Sequence, residues 1–198
     1  MLSVKNLQVR GLAPISFDLH KGDLLVVRGP SGSGKSLLLR AIADLDEVAG
    51  EIRLDKGRRA LMKPENWRRK ARYLSAESGW WLERTGEHFT DLQTAKKQAG
   101  ELGLAEKLFD NPVAHLSSGE RQRLSFVRAL EDHPPVLLLD EPTSALDEVA
   151  ADLMERKILA LQKTGIILIV VTHSHAQAER LATHTLTITD GKTRFEAR

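Results

Sequence analysis

The stretch Gly29–Ser36 constrains the fold of this chain more than any other part of it. Its letters, GPSGSGKS, fit the phosphate-loop pattern G-x-x-x-x-G-K-[ST] at every fixed position. The apolar run Leu24–Val27 before it is typical of a buried parallel strand, and Leu37–Ala43 after it predicts a helix. A strand, a glycine-rich loop and a helix in this order are the context in which the motif binds phosphate. We therefore predict a phosphate site that follows a strand of a parallel sheet.

The chemistry of this loop follows from its residue types. Glycines let the backbone curl until several N–H groups point at one place, and the helix N-terminus adds a partial positive charge. Lys35 is placed to reach the β- and γ-phosphates, and the Ser36 hydroxyl is placed to hold Mg²⁺. A chance glycine-serine turn would not explain the flanking strand and helix. The predicted nucleotide contacts are Gly29, Pro30, Ser31, Gly32, Ser33, Gly34, Lys35 and Ser36.

Charge and composition exclude several classes of function. The 198 residues carry 29 Lys and Arg against 27 Asp and Glu, a net charge of +2, which is too balanced for a nucleic-acid binder. The chain has no cysteine and hence no disulfide, thiolate metal site or cysteine nucleophile. Its longest apolar run, Ile166–Val171, is far below the roughly 18 residues that a membrane span requires. We expect a cytoplasmic protein that contacts a membrane only through a partner.

A second chemical centre is predicted where the apolar run Val136–Leu139 ends in two acids. Asp140 can hold Mg²⁺, directly or through water, and Glu141 can act as the general base that polarises the attacking water. His173 ends the next apolar strand, so in a parallel sheet it lies at the same edge and can contact the γ-phosphate or the water. A strand capped by exposed acids is the alternative, and the phosphate loop in the same chain makes it the weaker one.

Strands and helices alternate through the rest of the chain, which indicates a parallel sheet flanked by helices. The N-terminal part is β-rich, and a long helix is predicted over residues 87–109. The predicted fold class is an α/β P-loop NTPase with a mostly parallel sheet, an N-terminal antiparallel β part and a reduced α-helical subdomain. Further strands are predicted at 2–9, 15–19, 50–54, 166–171 and 185–189, and further helices at 148–162 and 176–182.

The run Leu116–Glu120, LSSGE, resembles the signature motif of ATP-binding-cassette (ABC) ATPases, which is usually L-S-G-G-Q. Ser144–Asp147, directly after the acidic pair, resembles the D-loop of that family. His173 resembles its switch histidine. The order and rough spacing of these motifs match over nearly the whole chain. The sequence is thus similar to short, stand-alone ATPase subunits of ABC transporters.

This resemblance implies an ATPase that uses ATP and Mg²⁺ and forms a head-to-tail homodimer on ATP binding. Each nucleotide would lie between the phosphate loop of one copy and the signature of the other. The resemblance implies a single domain over residues 1–198, with the helical subdomain inserted at about 78–130. It also implies a separate transmembrane permease subunit, bound at the cytoplasmic face of the inner membrane. The further nucleotide contacts that it implies are Ser117, Ser118, Gly119, Glu120 and Asp147.

Two departures from the family pattern affect the nucleotide site. Ala76 stands where the family has the Q-loop glutamine, and Glu77 follows it. Glu77 is either a substitute ligand for Mg²⁺ or an exposed loop acid, and both interpretations stay open. The segment Leu7–Gly11 offers no aromatic side chain to stack on adenine, which leaves apolar side chains and Arg10 for that contact.

Trp80 and Trp81 follow the altered Q-loop and are two of the three tryptophans in the chain. Adjacent side chains of an extended segment point to opposite sides, so we expect one indole in the core and one exposed. The exposed one would form an apolar patch with Leu82 or Phe89, where the resemblance places a helix of the membrane subunit. The alternative is that both indoles pack the small helical lobe. At the level of function, the alternative is an ATP-switched scaffold bound to a membrane protein without transport.

Overall fold

Ten strands and six α-helices make up the part of the chain that this computed structural model describes, residues 1–77 and 79–197. The strands are β1 (Leu2–Gln8), β2 (Ile15–Leu19), β3 (Leu24–Arg28), β4 (Ala49–Leu54), β5 (Gly57–Arg58), β6 (Ala71–Leu74), β7 (Val136–Asp140), β8 (Ile167–Val171), β9 (His184–Thr189) and β10 (Lys192–Ala197). The helices are α1 (Lys35–Ile42), α2 (Pro64–Lys70), α3 (Leu92–Glu101), α4 (Ser118–Ala129), α5 (Glu148–Lys163) and α6 (His175–Leu181).

Two sheets organise the fold. The main sheet has the strand order β10-β9-β3-β8-β7-β6, in which every neighbouring pair is parallel except β9 and β10. The smaller sheet, β2-β1-β4-β5, is antiparallel throughout. The predicted fold class, with its parallel main sheet and N-terminal antiparallel part, is confirmed. The carboxyl ends of β3, β8, β7 and β6 lie along one edge, which is where open α/β sheets bind ligands.

The core lies on both faces of the main sheet, because successive side chains of a strand point to opposite sides. On one face, Leu25 and Val27 of β3 pack with α1 and with the smaller sheet. On the other face, Leu24 and Val26 pack with α4, α5, α6 and the segment between β6 and β7. Strands buried on both faces are continuously apolar, which is why β3, β7 and β8 stand out in the sequence.

The long helix predicted over residues 87–109 is wrong as a single element. The chain there forms a 3₁₀ turn at Thr85–His88, then α3, then a second 3₁₀ turn at Glu106–Asp110. Asp91 starts α3 by accepting a hydrogen bond from the Thr94 N–H. Gly103, at φ 72°, turns the chain away after α3. Apolar spacing continues through these breaks because all three pieces cover the same core.

Strand β10 is the main element that sequence reasoning missed, and it pairs with β9 over six residues. The segment between β6 and β7 contains α3, α4 and three 3₁₀ turns. The inserted subdomain predicted at about 78–130 remains a prediction, and its first residue, Ser78, is outside the described residues. None of the described helices is both long and apolar enough to cross a bilayer.

Candidate nucleotide site

The loop between β3 and α1 is shaped by glycines. Gly29, Gly32 and Gly34 have φ values of 155°, 75° and 97°, which side chains with a Cβ rarely adopt. A Cβ on Gly29 would lie 2.4 Å from the Ile188 carbonyl oxygen and 2.7 Å from Oγ of Ser33. The backbone therefore passes close to β9 at this point, and glycine alone fits. This is the curled loop that the sequence predicts.

Lys35 and Ser33 prepare this loop for an anion. The Lys35 side chain is 5% exposed, and its Nζ donates to the carbonyls of Gly29 and Pro30, at 2.9 and 2.8 Å. Oγ of Ser33 is buried with no hydrogen-bond partner. A buried cation and an orphaned buried hydroxyl both cost free energy unless a polar group satisfies them. Phosphate oxygens at the N-terminus of α1 would satisfy both.

The oxygens that suit Mg²⁺ are provided by Ser36 and Asp140. Ser36 is exposed at the start of α1, and Asp140, at the end of β7, is 4% exposed. Tyr73 donates to Oδ2 of Asp140 at 2.9 Å. Among the described residues, no group of three or more His, Cys, Asp or Glu side chains could hold a metal alone. One hydroxyl and one carboxylate fit a site that phosphate oxygens and waters complete, as Mg²⁺ usually requires.

Glu141 and His173 meet at this edge, as the sequence predicts. Nε2 of His173 lies 2.8 Å from Oε1 of Glu141, and the Glu141 N–H donates to the Val171 carbonyl at 3.1 Å. Glu141 has a φ of 49°, a sparsely populated conformation for a residue with a Cβ. Such strain is typical of functional sites. The pair sets a carboxylate and an imidazole side by side, where both can hydrogen-bond to one water at the edge of the sheet.

The signature forms the start of α4. Ser117 is its N-cap, with Oγ accepting from the Glu120 N–H at 3.2 Å. The Glu120 carboxylate accepts in return from the Ser117 N–H and hydroxyl, at 2.8 and 2.9 Å. These hydrogen bonds hold the pKa of Glu120 below its usual value, and the bond from the Ser117 N–H has the largest effect. Gly119 packs against the next loop, where an added Cβ would lie 3.1 Å from the Ala145 carbonyl oxygen.

Gln122 is a site residue that sequence reasoning missed. Its Nε2 donates to the Glu141 carbonyl at 2.8 Å, and its Oε1 accepts from the Ala145 N–H at 3.1 Å. The signature helix is thereby tied to the loop that follows β7. Asp147 ends that loop as the N-cap of α5, accepting from the Ala150 N–H at 2.8 Å. No spacing pattern singles out Gln122, because its partners are backbone groups of a distant segment.

The altered Q-loop borders a cavity of about 520 Å³. Ala76 and Glu77 line it on one side, and Ser118, Arg121 and Gln122 of α4 line it on another. The Glu77 side chain is exposed, and its carbonyl accepts from Ser75 Oγ at 2.6 Å. Its role as a Mg²⁺ ligand stays a prediction.

A second cavity of about 550 Å³ lies between the end of β1 and α1. Val9, Arg10 and Leu37 are among the residues that line it, and Arg40 and Val48 also contribute. Its lining residues include no aromatic side chain. The expectation that apolar groups and Arg10 would contact a base is consistent with this lining and stays a prediction.

One tryptophan of the pair is exposed, as expected. Trp81 is 70% exposed and Leu82 beside it 42%, whereas Trp80 packs partly buried against the core. The Arg128 guanidinium lies 4.5 Å from the Trp80 ring centroid and 4.7 Å from that of Trp81. Phe89, the other expected patch member, is only 8% exposed, because it packs on Phe109 at 5.1 Å. The patch therefore consists of Trp81 and Leu82.

His88 fixes the backbone of this loop. Its Nε2 accepts from the N–H groups of Trp81 and Leu82, at 3.1 and 3.0 Å. Its ring meets both indoles edge-on, and Nδ1 lies 3.1 Å from the Arg84 carbonyl oxygen. The histidine is 7% exposed. Sequence reasoning did not assign His88 a role.

Comparison with known proteins agrees with this geometry. The ABC transporter family model matches residues 12–144. An aliphatic sulfonates import ATP-binding protein of Pseudomonas syringae pv. syringae (strain B728a) is 35% identical over 181 residues, 90% of this chain and 64% of that protein. The glutamine transport ATP-binding protein of Escherichia coli (strain K12) is 32% identical over 200 residues, 90% of this chain and 81% of that protein. The chain thus spans less than two thirds of the length of the first relative.

Solved structures give the same fold. A dimeric post-hydrolysis structure of the ATP-binding cassette MJ0796, bound to ADP and Pi, superposes with a TM-score of 0.85 at 23% identity, covering 100% of this chain and 98% of that one. The ATP-binding subunit of an ABC transporter superposes with a TM-score of 0.87 at 25% identity, covering 100% of this chain and 90% of that one. On the family match, the relatives and the fold, this chain belongs to the ABC transporter family.

Proposed function

We propose that this chain hydrolyses ATP as a head-to-tail dimer and drives transport across a membrane through a separate membrane subunit. The observation that carries the proposal is the meeting of the glycine loop, Asp140 and the Glu141–His173 pair at one sheet edge. Relatives whose names describe import or transport ATP-binding proteins support the coupling to transport.

Each residue of the edge has a role in this reaction. Lys35 and the loop N–H groups would bind the phosphates, and Ser36 and Asp140 would hold Mg²⁺. The ion, when bound, would supply charge neutralisation at the phosphates. Glu141 orients the attacking water and accepts its proton as general base. His173, hydrogen-bonded to Glu141, holds that carboxylate in place and reaches toward the γ-phosphate.

The signature supports an assembly of two copies. Ser117 lies at the N-terminus of α4, a twelve-residue helix whose N–H groups and dipole favour an anion. The contacts of Gly119 and Gln122 hold that terminus against residues 141–145, the loop after β7. A nucleotide bound to the partner's phosphate loop would complete the site. ATP would thus bridge the two copies.

The proposed contact with the membrane subunit uses Trp81 and Leu82. An exposed indole is a frequent anchor of interfaces because it buries a large area at little entropic cost. Arg128 and His88 hold the loop in place before binding, which lowers the cost of association. The protein would then work at the cytoplasmic face of the membrane.

Replacing Glu141 by glutamine tests the reaction. Glu141→Gln keeps the shape of the side chain but cannot accept the proton, so phosphate release should slow at least about 100-fold. ATP binding should persist, and sedimentation should show an ATP-dependent dimer that accumulates. Glu65→Gln, the same change at an exposed position of α2, is the matched control. Rapid phosphate release by Glu141→Gln would show that Glu141 is not the base.

A further inference from the structure

The only tyrosine of the chain lies against the carboxylate that ends β7. Oη of Tyr73, in β6, donates to Oδ2 of Asp140 at 2.9 Å. Tyr73 pairs with Leu138 in the parallel register of β6 and β7. Its side chain therefore extends along the sheet to reach Asp140, two residues beyond Leu138. A tyrosine has the length for this reach. One of the two carboxylate oxygens is thereby occupied.

This hydrogen bond replaces solvent at a carboxylate that water scarcely reaches. Asp140 is 4% exposed, and a buried carboxylate oxygen without a donor is costly. With Oδ2 held by the phenol, the rotation of the carboxylate is restrained. Oδ1 is then the oxygen left for another ligand.

We propose that Tyr73 is a positioning residue for the metal site, which orients Asp140 by holding Oδ2 and so sets the affinity of the nucleotide-bound protein for Mg²⁺. The proposal rests on the proposed function, since Asp140 is taken as the residue that holds the cation. Tyr73 itself touches neither the cation nor the nucleotide. It affects the affinity for the metal and not the affinity for the phosphates, which are bound by the loop after β3.

Tyr73→Phe tests this role because it removes one oxygen and keeps the ring. Mn²⁺, used in place of Mg²⁺, is titrated into the full chain with bound ATP, and free Mn²⁺ is followed by electron paramagnetic resonance. Loss of one hydrogen bond to a charged group should weaken cation binding about three- to tenfold. ATP affinity measured in EDTA should change less than about twofold, since the phosphate contacts are intact.

Thr85→Val is the matched control. It removes a partly buried hydrogen bond, from Oγ1 of Thr85 to the Asn111 carbonyl at 3.0 Å, in the segment between β6 and β7. It should lower stability in the way that any lost buried bond does, and leave Mn²⁺ binding as in the parent protein.

The outcomes separate the two proposals. Unchanged Mn²⁺ affinity in Tyr73→Phe, in a parent protein that binds and hydrolyses ATP, overturns the positioning role and leaves the proposed function standing. Equal losses of Mn²⁺ and EDTA-measured ATP affinity also overturn it, because they indicate a general structural effect. A parent protein that binds no ATP overturns both proposals.

Discussion

The main sheet and the segment between β6 and β7 are held together in different ways. Strands β7 and β8 are buried along all five of their residues and are stabilised by apolar packing on both faces. In the other segment, side chains bind the backbone of distant residues. Arg123 donates to the Leu102 carbonyl at 3.0 Å, and Arg128 donates to the Gly79 carbonyl at 2.8 Å. The sheet depends on an extended apolar pattern, whereas the other segment combines an apolar core with single polar contacts between distant residues.

This difference has consequences for stability and for function. Deleting a buried leucine side chain costs about 2–5 kcal/mol, whereas one hydrogen bond contributes about 0.5–1.5 kcal/mol net. The sheet therefore keeps the reacting groups in fixed positions. In the segment between β6 and β7, which includes the signature and the tryptophan loop, we expect the loss of one polar contact to have a smaller effect on stability than the loss of a buried side chain in the sheet.

The largest expected effect is in the sheet. Leu138→Ala should lower the free energy of unfolding by about 3 kcal/mol, because Leu138 is fully buried in the middle of β7. Urea denaturation measures this change. Leu61→Ala, at a leucine that is 81% exposed, should change it by less than about 0.5 kcal/mol. Equal effects of the two variants would show that burial of apolar side chains in β7 does not determine the stability of the sheet.

An intermediate effect is expected where the two regions meet. Gln122→Leu removes the bonds to the Glu141 carbonyl and the Ala145 N–H, and should cost about 1–3 kcal/mol of stability. Because Glu141 is then less well held, the rate of phosphate release should fall about tenfold or more. ATP affinity should stay nearly constant. The control is Gln93→Leu, at an exposed glutamine of α3. A normal hydrolysis rate in Gln122→Leu would show that this tie does not serve the reaction.

The smallest effect on stability is expected at the tryptophan loop. Trp81→Ala should change the melting temperature little, because the indole is 70% exposed. ATP binding and hydrolysis by the isolated subunit should also persist. Recruitment to membranes that contain the partner subunit should fall about tenfold, as for an interface anchor. Leu61→Ala serves again as the control. Full recruitment of Trp81→Ala would exclude this loop as the anchor.

The contrast also explains what could be predicted from the sequence. Continuous apolar runs identify β3, β7 and β8, and the residues that follow them in the chain must meet at one edge. That reasoning places Glu141 beside His173, which lie 2.8 Å apart. It works because strand direction and register decide both positions.

The remaining features could not be predicted in this way. Gln122 bonds to backbone groups about 20 residues away, and His88 bonds to backbone groups of an irregular loop, and no periodicity marks either kind of contact. The break before α3 depends on the Asp91 cap, and the break after it depends on the turn at Gly103; the spacing of apolar residues indicates neither. Tyr73 could not be assigned its role either, because its bond to Asp140 depends on the pairing of β6 with β7, which no sequence pattern indicated.

Strand β10 has a consequence for how copies of this protein associate. It is an edge strand of the main sheet, and its exposed residues include Lys192, Arg194 and Glu196. Charged side chains on an edge strand oppose pairing with the strand of another molecule. The opposite edge, β6, is only four residues long, which limits pairing there too. Strand addition and the aggregation that it starts are thus discouraged at both edges of the main sheet.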